Sequence, residues 1–410
     1  MTTFHKLKFK KLLEPKISVS LKKGFVYSFI PMENVETGKK KPRRLEFKTF
    51  NGGGSKFADD DILFARITPC LQNKKIVKVG NLKGGVGFGS TEFFIFRAKK
   101  GYTNPDFLYY TLKLDDLINT AILSMVGASG RQRANIKSIY EYYVYAPDLL
   151  NQKWIASILS AYDDLIENNE KRIKILEEMA ESLYIEWFVK FKFPGHEKVK
   201  MVNSGTKYDM IPVGWEVRTV ENSFEILGGG TPSRTVSEYW GGKINWYTPS
   251  DLTGTNQMFS DSSLEQITEV GLKKSSANLF PPYCIMMTSR ATIGAISINT
   301  CYSTTNQGFI VCVPNEKIKL YYLYYWLKHN VPLFIELGSG ATFKEINKGN
   351  FKKINILIPH IDLINQFEKK LKVIGDLILS FQRENRTLSL TRNLLIPQLV
   401  TGRRELKIKS

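Results

Sequence analysis

Two long stretches of the chain show the apolar spacing of an amphipathic helix. Apolar residues recur every three or four positions, and each stripe contains one asparagine, Asn169 in the first and Asn385 in the second. The second stripe is expected to end at Pro397, with Gly402 beyond it. The apolar positions are Ile155, Ile158, Tyr162, Leu165, Ile173, Leu176, Ala180, Leu183 and Trp187 in the first stretch, and Phe367, Leu371, Ile374, Ile378, Phe381, Leu388 and Leu395 in the second.

A single stripe of this kind belongs more often to an ordinary core than to a coiled coil. Two matching stripes, each with a polar residue in its seam, favour two helices that pair with each other. We therefore predict an intramolecular coiled coil of two long antiparallel helices. The first helix would be roughly 60 Å long at about 1.5 Å per residue.

Outside these stretches the pattern changes to short β-rich runs separated by turns rich in Gly, Asn, Ser and Thr. One helix interrupts the runs in each half of the chain, over residues 105–126 and 319–337. The predicted strands are 61–66, 92–97 and 142–146 in the first half, and 284–288, 308–313 and 353–358 in the second. Each half is therefore predicted to be an α+β domain.

The two halves read as copies of one unit. The segment 127–137, which runs on to Pro147, resembles 338–348, which runs on to Pro359, and the two prolines are 212 residues apart. The Asp-Leu-Ile tripeptides at 164–166 and 376–378 keep the same offset. Three further segments, which begin at residues 62, 92 and 105, match segments that begin at 286, 307 and 320. A set of matches in one order is not expected by chance and indicates a duplication with pseudo-two-fold symmetry.

The charge of the chain gives the first indication of function. The formal net charge is +19, and a strong basic excess favours a polyanionic partner, nucleic acid first. Residues 1–148 hold 26 Lys and Arg against 13 Asp and Glu, whereas residues 191–360 hold 17 against 13. Residues 149–190 hold 5 against 8, so the first long helix suits a protein contact better than a phosphate contact.

Cysteine and histidine usage points away from metal and disulfide chemistry. The four cysteines show no CxxC spacing, and the four histidines lie far from them in sequence. A reducing cytoplasm fits this pattern best. The basic N-terminus lacks the apolar core of a signal peptide, and no apolar run of about 18 residues predicts a membrane span, so we expect a cytoplasmic protein with no membrane partner.

Five segments of the chain carry a resemblance to a known family, at residues 183–194, 211–217, 228–233, 338–342 and 395–402. Together they resemble the specificity (S) subunit of a type I restriction–modification enzyme, over essentially the full chain. Residues 183–194 resemble the close of that family's first conserved helix, and residues 211–217 with 228–233 resemble the opening of its second target-recognition domain. Residues 338–342 and 395–402 resemble its closing motifs. The first copy shows no clear counterpart to residues 211–233, so the N-terminal edge of its domain is left undefined.

The resemblance implies a division of labour among subunits. Each target-recognition domain would read one half of a bipartite, asymmetric site in double-stranded DNA, and the coiled coil would set the gap, on the order of one helical turn or 34 Å. Methylation and cleavage would belong to two methyltransferase (M) subunits and to restriction/translocase (R) subunits. S-adenosylmethionine, ATP and Mg²⁺ would bind to those partners, and no cofactor is expected on this chain.

The domain boundaries follow from the stripes and the repeat. We predict a first target-recognition domain at 1–148 and a first spacer helix at 149–192. A second target-recognition domain is predicted at 193–360, a second spacer helix at 361–396, and a C-terminal tail at 397–410.

DNA readout needs basic and amide side chains on loops that reach base edges and phosphates. Arg66 and Arg290 recur at matched places, which suggests a shared role, whereas residues that differ between the copies are better candidates for reading unlike half-sites. The candidates are Arg66, Thr68, Lys74, Lys75, Arg131, Gln132 and Arg133 in the first copy, and Thr231, Ser233, Arg234, Ser250, Ser289, Arg290, Asn306, Gln307 and Lys344 in the second.

The chain shows no catalytic motif, and no catalytic or metal-binding residue is predicted. An adenine methyltransferase needs an Asn/Asp-Pro-Pro-aromatic motif; residues 104–107 and 280–283 resemble it only in part, and we expect them to be a helix start and the approach to a strand. The Gly-rich residues 52–56 do not match a phosphate-binding loop. A stand-alone DNA methyltransferase or nuclease, and a coiled-coil adaptor without a DNA role, remain the alternatives.

Overall fold

The structure is a computed structural model that describes residues 3–254, 256–340 and 344–404. The chain divides into two compact units. Unit 1 comprises Met1–Asn169 and Glu384–Ser410, and unit 2 comprises Glu170–Arg383. No helix among the described residues is long and apolar enough to cross a membrane.

Unit 1 combines a two-stranded, a four-stranded and a three-stranded sheet with short helices. The strand orders are β1-β9, β3-β2-β7-β4 and β6-β5-β8. The strands are β1 His5–Lys8, β2 Val26–Ile30, β3 Glu46–Thr49, β4 Ser55–Ala58, β5 Ile62–Ala65, β6 Ile76–Lys78, β7 Val86–Gly89, β8 Phe93–Phe96 and β9 Tyr143–Ala146. The helices are α1 Pro105–Leu112, α2 Asp115–Leu123, α3 Ile136–Glu141 and the first part of α4 Leu149–Tyr184.

Unit 2 contains a five-stranded sheet in the order β13-β20-β17-β18-β15, a three-stranded sheet β16-β14-β19, and the pairs β10-β11 and β12-β21. Its strands are β10 Met201–Asn203, β11 Met210–Pro212, β12 Glu216–Thr219, β13 Glu225–Gly228, β14 Trp240–Tyr247, β15 Phe259–Ser260, β16 Glu265–Ile267, β17 Ile285–Thr288, β18 Ile296–Asn299, β19 Ser303–Thr305, β20 Phe309–Val313 and β21 Asn355–Ile358. Its helices are α5 Pro249–Thr253, α6 Glu269–Lys273, α7 Leu320–Glu336, α8 Lys348–Lys352 and the first part of α9 Ile361–Val400.

The α+β prediction is confirmed, and all six predicted strands form. The single helix predicted over 105–126 is wrong, because the chain breaks at Lys113 and Leu114 into α1 and α2. Leu114 has extended backbone angles, and Asp115 and Asp116 follow it in the first turn of α2, where carboxylates favour a new helix start. The corresponding helix of the second copy is continuous, as predicted.

The duplication extends to the start of the first copy, where no counterpart of residues 211–233 was evident. In unit 1, β1 pairs antiparallel with β9, so that Lys8 lies opposite Tyr143. In unit 2, β12 pairs with β21 in the same way, with Thr219 opposite Asn355. The partner strand that β13 provides in unit 2 is reduced in unit 1 to a single bridge between Leu13 and Ala98.

The two long helices pair antiparallel within each unit, as the seams predicted. In unit 1, Asp163 contacts Arg392, and six residues further along α4 the Asn169 amide donates to Asn385 Oδ1 at 3.0 Å. In unit 2, the Arg172 guanidinium lies over the Phe381 ring, and Tyr184 packs on Phe367. In both units the residue numbers rise along α4 in the direction in which they fall along α9, so the two helices are antiparallel.

The seam of α4 is shifted by one residue from the prediction between residues 158 and 166. Leu159, Asp163 and Ile166 are buried, where Ile158, Tyr162 and Leu165 were predicted. Leu165 is 47% exposed, and its neighbour Ile166 is 6% exposed and lies inside. The apolar pattern missed the true register because Asp163 occupies a seam position, where it forms a buried ion pair with Arg392. A prediction that places only apolar residues in the seam cannot assign a charged residue to it.

Both long helices end differently from the prediction. After Tyr184, α4 continues as one π-helical turn, Ile185–Val189. The second helix does not end before Pro397 but continues to Val400. Proline in a helix costs about 3 kcal/mol. The last turn nevertheless buries Leu399 and Val400 in the core of unit 1, and burial of large apolar side chains contributes about 1.5–3 kcal/mol each.

Lys113, at the end of α1, has an amino nitrogen that is buried and without a hydrogen bond among the described residues. Burial, and after it the charge of Arg392, lowers the pKa of Lys113 to about 8. An unfolded lysine has a pKa of about 10.4, so the charged form costs stability below pH 8, and this cost disappears as the pH rises towards about 10.

We therefore expect Lys113→Met to raise the unfolding temperature at pH 7, and its advantage over the wild type to shrink between pH 8 and about 10. Thermal unfolding at several pH values measures this difference. Lys137→Met is the matched control, because Lys137 is exposed. Equal pH dependence of the two variants would contradict the assignment.

Candidate nucleic-acid interface

The predicted DNA-contact residues of unit 1 gather where β5 ends and β8 begins. The two strands are antiparallel with Ala65 opposite Phe93, so the residues that follow one and precede the other meet. The Arg66 amide donates to the Glu92 carbonyl at 3.0 Å, and the Ala134 amide donates to the Arg66 carbonyl at 2.8 Å. A bridge of Val126 with Arg133 closes the loop 127–132 beside them. We call residues 66–68, 92 and 127–133 the first loop cluster.

Three charged side chains lie at the base of the first loop cluster. Glu92 accepts from Arg133 Nε at 3.0 Å and from its terminal nitrogen at 2.7 Å, and from Arg66 Nε at 3.2 Å. The Arg66 guanidinium also lies over the Phe94 ring, 5.7 Å from its centre. The hydrogen bonds from Arg133, and then those from Arg66, hold the pKa of the Glu92 carboxyl below its usual value against the opposing effect of burial.

The loop above this base carries two more predicted residues. Residues 127–131 are exposed, and Gln132 is half-buried. Arg131 makes no side-chain hydrogen bond or ion pair among the described residues, so its guanidinium is available to a partner. Gly127 and Gly130 have positive φ angles of 131° and 77°, which glycine adopts without strain.

The remaining candidates of unit 1 divide between two places. The Thr68 amide donates to the Gln132 carbonyl at 3.0 Å, which places Thr68 in the first loop cluster. Lys74 and Lys75 lie in the turn between β5 and β6, where Lys74 pairs with Asp115 at 2.6 Å and Lys75 donates to the Met32 carbonyl at 3.1 Å. The structure therefore gives both lysines an internal partner.

Unit 2 repeats the backbone frame of the first loop cluster. The Ser289 amide donates to the Gly308 carbonyl at 2.8 Å, and the Ile346 amide donates to the Ser289 carbonyl at 3.0 Å. Glu345 forms bridges with Ser339 and with Arg290. We call residues 229–231, 289–291, 306–308, 339–340 and 344–345 the second loop cluster.

The common frame corrects the match of Arg66 with Arg290. Arg66 bonds to the first residue before β8 and to Ala134, and in unit 2 these bonds are made by Ser289. Arg290 instead takes the place of Ile67. Ile67 forms a β-bridge with Arg133, and Arg290 forms the corresponding bridge with Glu345. The sequence match was out of register by one residue, because it paired the two arginines, whereas β5 begins at Ile62 and β17 at Ile285. The two arginines therefore do not share a position.

Amide and hydroxyl side chains line the second loop cluster. Thr231 donates to Gln307 Oε1 at 2.7 Å, and Asn306 Oδ1 accepts from the Gly308 amide at 2.9 Å. The backbone at Gly229 lies close to that of Asn306. Only glycine fits there, because a Cβ on residue 229 would lie 2.0 Å from the Asn306 carbonyl oxygen. Gln307 is exposed, so its side-chain amide can donate hydrogen bonds to a partner and accept them from it.

The other candidates of unit 2 differ in how firmly they are held. Ser289 is buried, whereas Arg290 is 60% exposed at its side chain and lies 3.9 Å from Glu345. Lys344 is exposed, and its carbonyl accepts from the Ala291 amide at 3.0 Å. Ser250, exposed near the start of α5, lies one residue after Pro249.

Arg234 is the most restrained of the predicted residues. It forms a two-point ion pair with Glu265, at 2.5 and 2.8 Å, and its guanidinium stacks on Trp240 at 3.8 Å from the ring centre. Ser233 bonds to the Thr235 hydroxyl at 2.9 Å beside it. Sequence reasoning missed Glu92, Glu265 and Trp240. A search for basic groups does not register the carboxylates and rings that hold them.

The two partial methyltransferase motifs occupy structural positions, as predicted. Asn104 is the N-cap of α1, where its side chain accepts from the Phe107 amide at 3.0 Å. Residues 280–283 lead into β17, and the Phe280 amide pairs with Ser303. Among the described residues, no group of three or more His, Cys, Asp or Glu side chains is arranged to hold a metal ion.

The sequence model of the type I restriction modification DNA specificity domain matches the chain twice, over residues 20–178 and 212–383. These matches cover most of the chain, which therefore belongs to this family, as the resemblance indicated. The chain is 24% identical to the HindI specificity subunit of Haemophilus influenzae over 400 residues, 83% of this chain and 86% of that protein.

Two further relatives differ in what they cover. The MjaIX specificity subunit of Methanocaldococcus jannaschii is 34% identical over 185 residues, which are 45% of this chain and only 43% of that protein. The crystal structure of the type I restriction–modification S subunit from M. genitalium aligns with a TM-score of 0.58 at 15% identity, over 97% of this chain and 96% of that one. The structural likeness shows the same fold.

Arg234 and Arg290 are similarly exposed but differ in how firmly their contacts hold them, and this contrast can be tested by stability. We expect Arg234→Met to lower the free energy of unfolding by about 1 kcal/mol, because it removes a cation–π contact and a two-point ion pair. Arg290→Met should change it by less than about 0.5 kcal/mol, as for most exposed side chains. Thermal unfolding compares them, and equal losses would contradict the contrast.

Proposed function

We propose that this protein is the DNA-recognition subunit of a type I restriction–modification complex and that it reads a bipartite, asymmetric site. One observation carries the proposal: a common backbone frame bears different side chains in the two units. Arg66, the Glu92 position and Arg133 of unit 1 correspond to Ser289, Gly308 and Glu345 of unit 2. Conserved backbone with divergent side chains is what two readers of unlike half-sites require.

The side chains on the loop clusters suit base and phosphate contacts. Arginine donates two hydrogen bonds to guanine, and glutamine pairs in the same way with adenine. The exposed or half-buried arginines and glutamines of the loop clusters are Arg66, Arg131, Gln132 and Arg133 in unit 1, and Arg290 and Gln307 in unit 2. The basic excess of residues 1–148 would add phosphate attraction in unit 1.

We further propose that the chain is a scaffold for methyltransferase and restriction subunits, and the α4 helix supports this role. Its acidic surface disfavours DNA binding. Several of its apolar side chains are exposed, at surface positions where a helix usually carries polar residues. In unit 1 these are Leu150, Trp154 and Leu165, and in unit 2 Ile175 and Met179. Such groups favour a protein partner. We assign methylation and cleavage, with their S-adenosylmethionine, ATP and Mg²⁺, to those subunits.

Selection from a random double-stranded DNA library by the purified chain tests the proposal. We expect enrichment of a motif with two unlike halves and a fixed gap. Arg131→Gln should weaken only one half, and Gln307→Leu only the other. Lack of any enriched motif would contradict DNA recognition, and cleavage or methyl transfer by the chain alone with Mg²⁺ and S-adenosylmethionine would contradict a purely recognising role.

The paired helices can be tested as the element that sets the gap. Because Asn169 pairs with Asn385, a matched insertion needs seven residues after Asn169 and seven after Arg383. The insertion would lengthen each helix by about two turns, or about 10.5 Å in total. This length corresponds to about three base pairs of DNA.

We expect the selected motif to keep both halves and to lengthen its gap by about three base pairs. A matched control carries the same seven residues in the exposed turn at Lys100 and Gly101, which lies outside both loop clusters, and there the gap should not change. An unchanged gap in the double insertion would rule out this role of the helices.

A further inference from the structure

The backbone of Glu92 is fixed independently of its side chain. Its amide donates to the Ser90 hydroxyl at 3.2 Å, and its carbonyl accepts from the Arg66 amide at 3.0 Å. Its side chain is 20% exposed. Phe94 lies two residues further along and so on the same face of the chain, beneath the Arg66 guanidinium. The carboxylate is therefore held in place before any partner arrives.

Two of the three arginines of the first loop cluster, Arg66 and Arg133, converge on this carboxylate. Arg133 is bound through two nitrogens and Arg66 through one, while their own backbones belong to the frame that closes loop 127–132. Their side chains remain 48% and 33% exposed, so each can still present donors to a ligand. One carboxylate also offsets one of the two positive charges.

Unit 2 lacks this arrangement. The position of Arg66 is Ser289, that of Glu92 is a glycine, and that of Arg133 is Glu345. The carboxylate of unit 2 is thus that of Glu345, which lies at the matched place of Arg133 and forms a β-bridge with Arg290. Among the described residues of the shared frame, the Arg-Glu-Arg group occurs in unit 1 only, so the common fold does not require it.

We propose that Glu92 is a positioning residue for DNA reading by unit 1. It holds Arg66 and Arg133 in one orientation for base contacts, and it weakens their attraction for phosphates of any sequence. Unbound arginines would bind all DNA more tightly and distinguish bases less well, because phosphate attraction is independent of sequence. The inference rests on the proposed function.

The test is Glu92→Gln, which keeps the shape of the side chain and removes its charge. The probes are the motif selected by the wild type and a scrambled duplex of equal length, each titrated at several salt concentrations. We expect tighter binding of the scrambled duplex with a steeper salt dependence, by up to about 0.9 in slope per added phosphate contact. The preference for the selected motif should fall about tenfold or more, in the half read by unit 1 only.

Glu141→Gln is the matched control. Glu141 also binds two cations of unit 1, Lys8 and Lys10, each at 2.5 Å, but it lies outside the first loop cluster. Its loss removes the same charge and frees two basic groups, so general affinity can rise while the preference for the motif is kept. A loss of preference equal to that of Glu92→Gln would overturn the proposal, since net charge alone would then account for it.

A merely structural role predicts a different result. If Glu92 only stabilised the fold, Glu92→Gln would weaken binding to both duplexes together, and that outcome overturns the proposal. Glu92→Asp gives a second reading: it keeps the charge but is too short to reach both arginines, so preference should fall without a gain in general affinity. Failure of the wild type to select any motif would instead contradict the proposed function.

Discussion

Ile155, Ala156 and Leu159 of α4 lie in the same buried cluster as Ile396, Leu399 and Val400 of α9, together with the sheet and helices of unit 1. In unit 2 the other ends of these helices contribute Tyr184, Trp187, Phe367 and Leu371 to its core. The long helices are thus part of each core, and the burial of their apolar faces is what the strands, loops and loop clusters of each unit depend on.

Polar residues inside the helix pair make this packing specific. Asp163 and Arg392 are both almost fully buried, and Tyr110 donates to the same carboxylate at 2.5 Å. A buried ion pair adds little net stability, but losing one partner leaves an uncompensated charge that costs about 3–5 kcal/mol. Asn169 and Asn385 impose a similar condition nearby. Any slip of one helix along the other breaks both contacts, so these residues define the register.

The loop clusters show how one frame supports two kinds of surface. Backbone hydrogen bonds at the ends of β5 and β8, and of β17 and β20, hold the same loops in both units. Side chains that do not contribute to the frame can then change freely. Unit 1 carries arginines around a carboxylate, whereas unit 2 carries hydroxyl and amide groups with Arg290 and Glu345. A difference in charge between the halves follows from this freedom.

The sequence by itself determined the duplication, the α+β class, the six predicted strands and the two antiparallel helices, because apolar periodicity and repeated turn residues report local structure and burial directly. Tertiary structure decided the register of the α4 seam, the helical path through Pro397 and the correspondence of Arg66 with Ser289. Each of these depends on a partner distant in the chain, Arg392 for Asp163, the unit 1 core for Val400, and Ala134 or Ile346 for the loop frame. Periodicity cannot show such partners, since a buried charge reads as exposed and a carboxylate that holds two arginines reads as an ordinary surface residue.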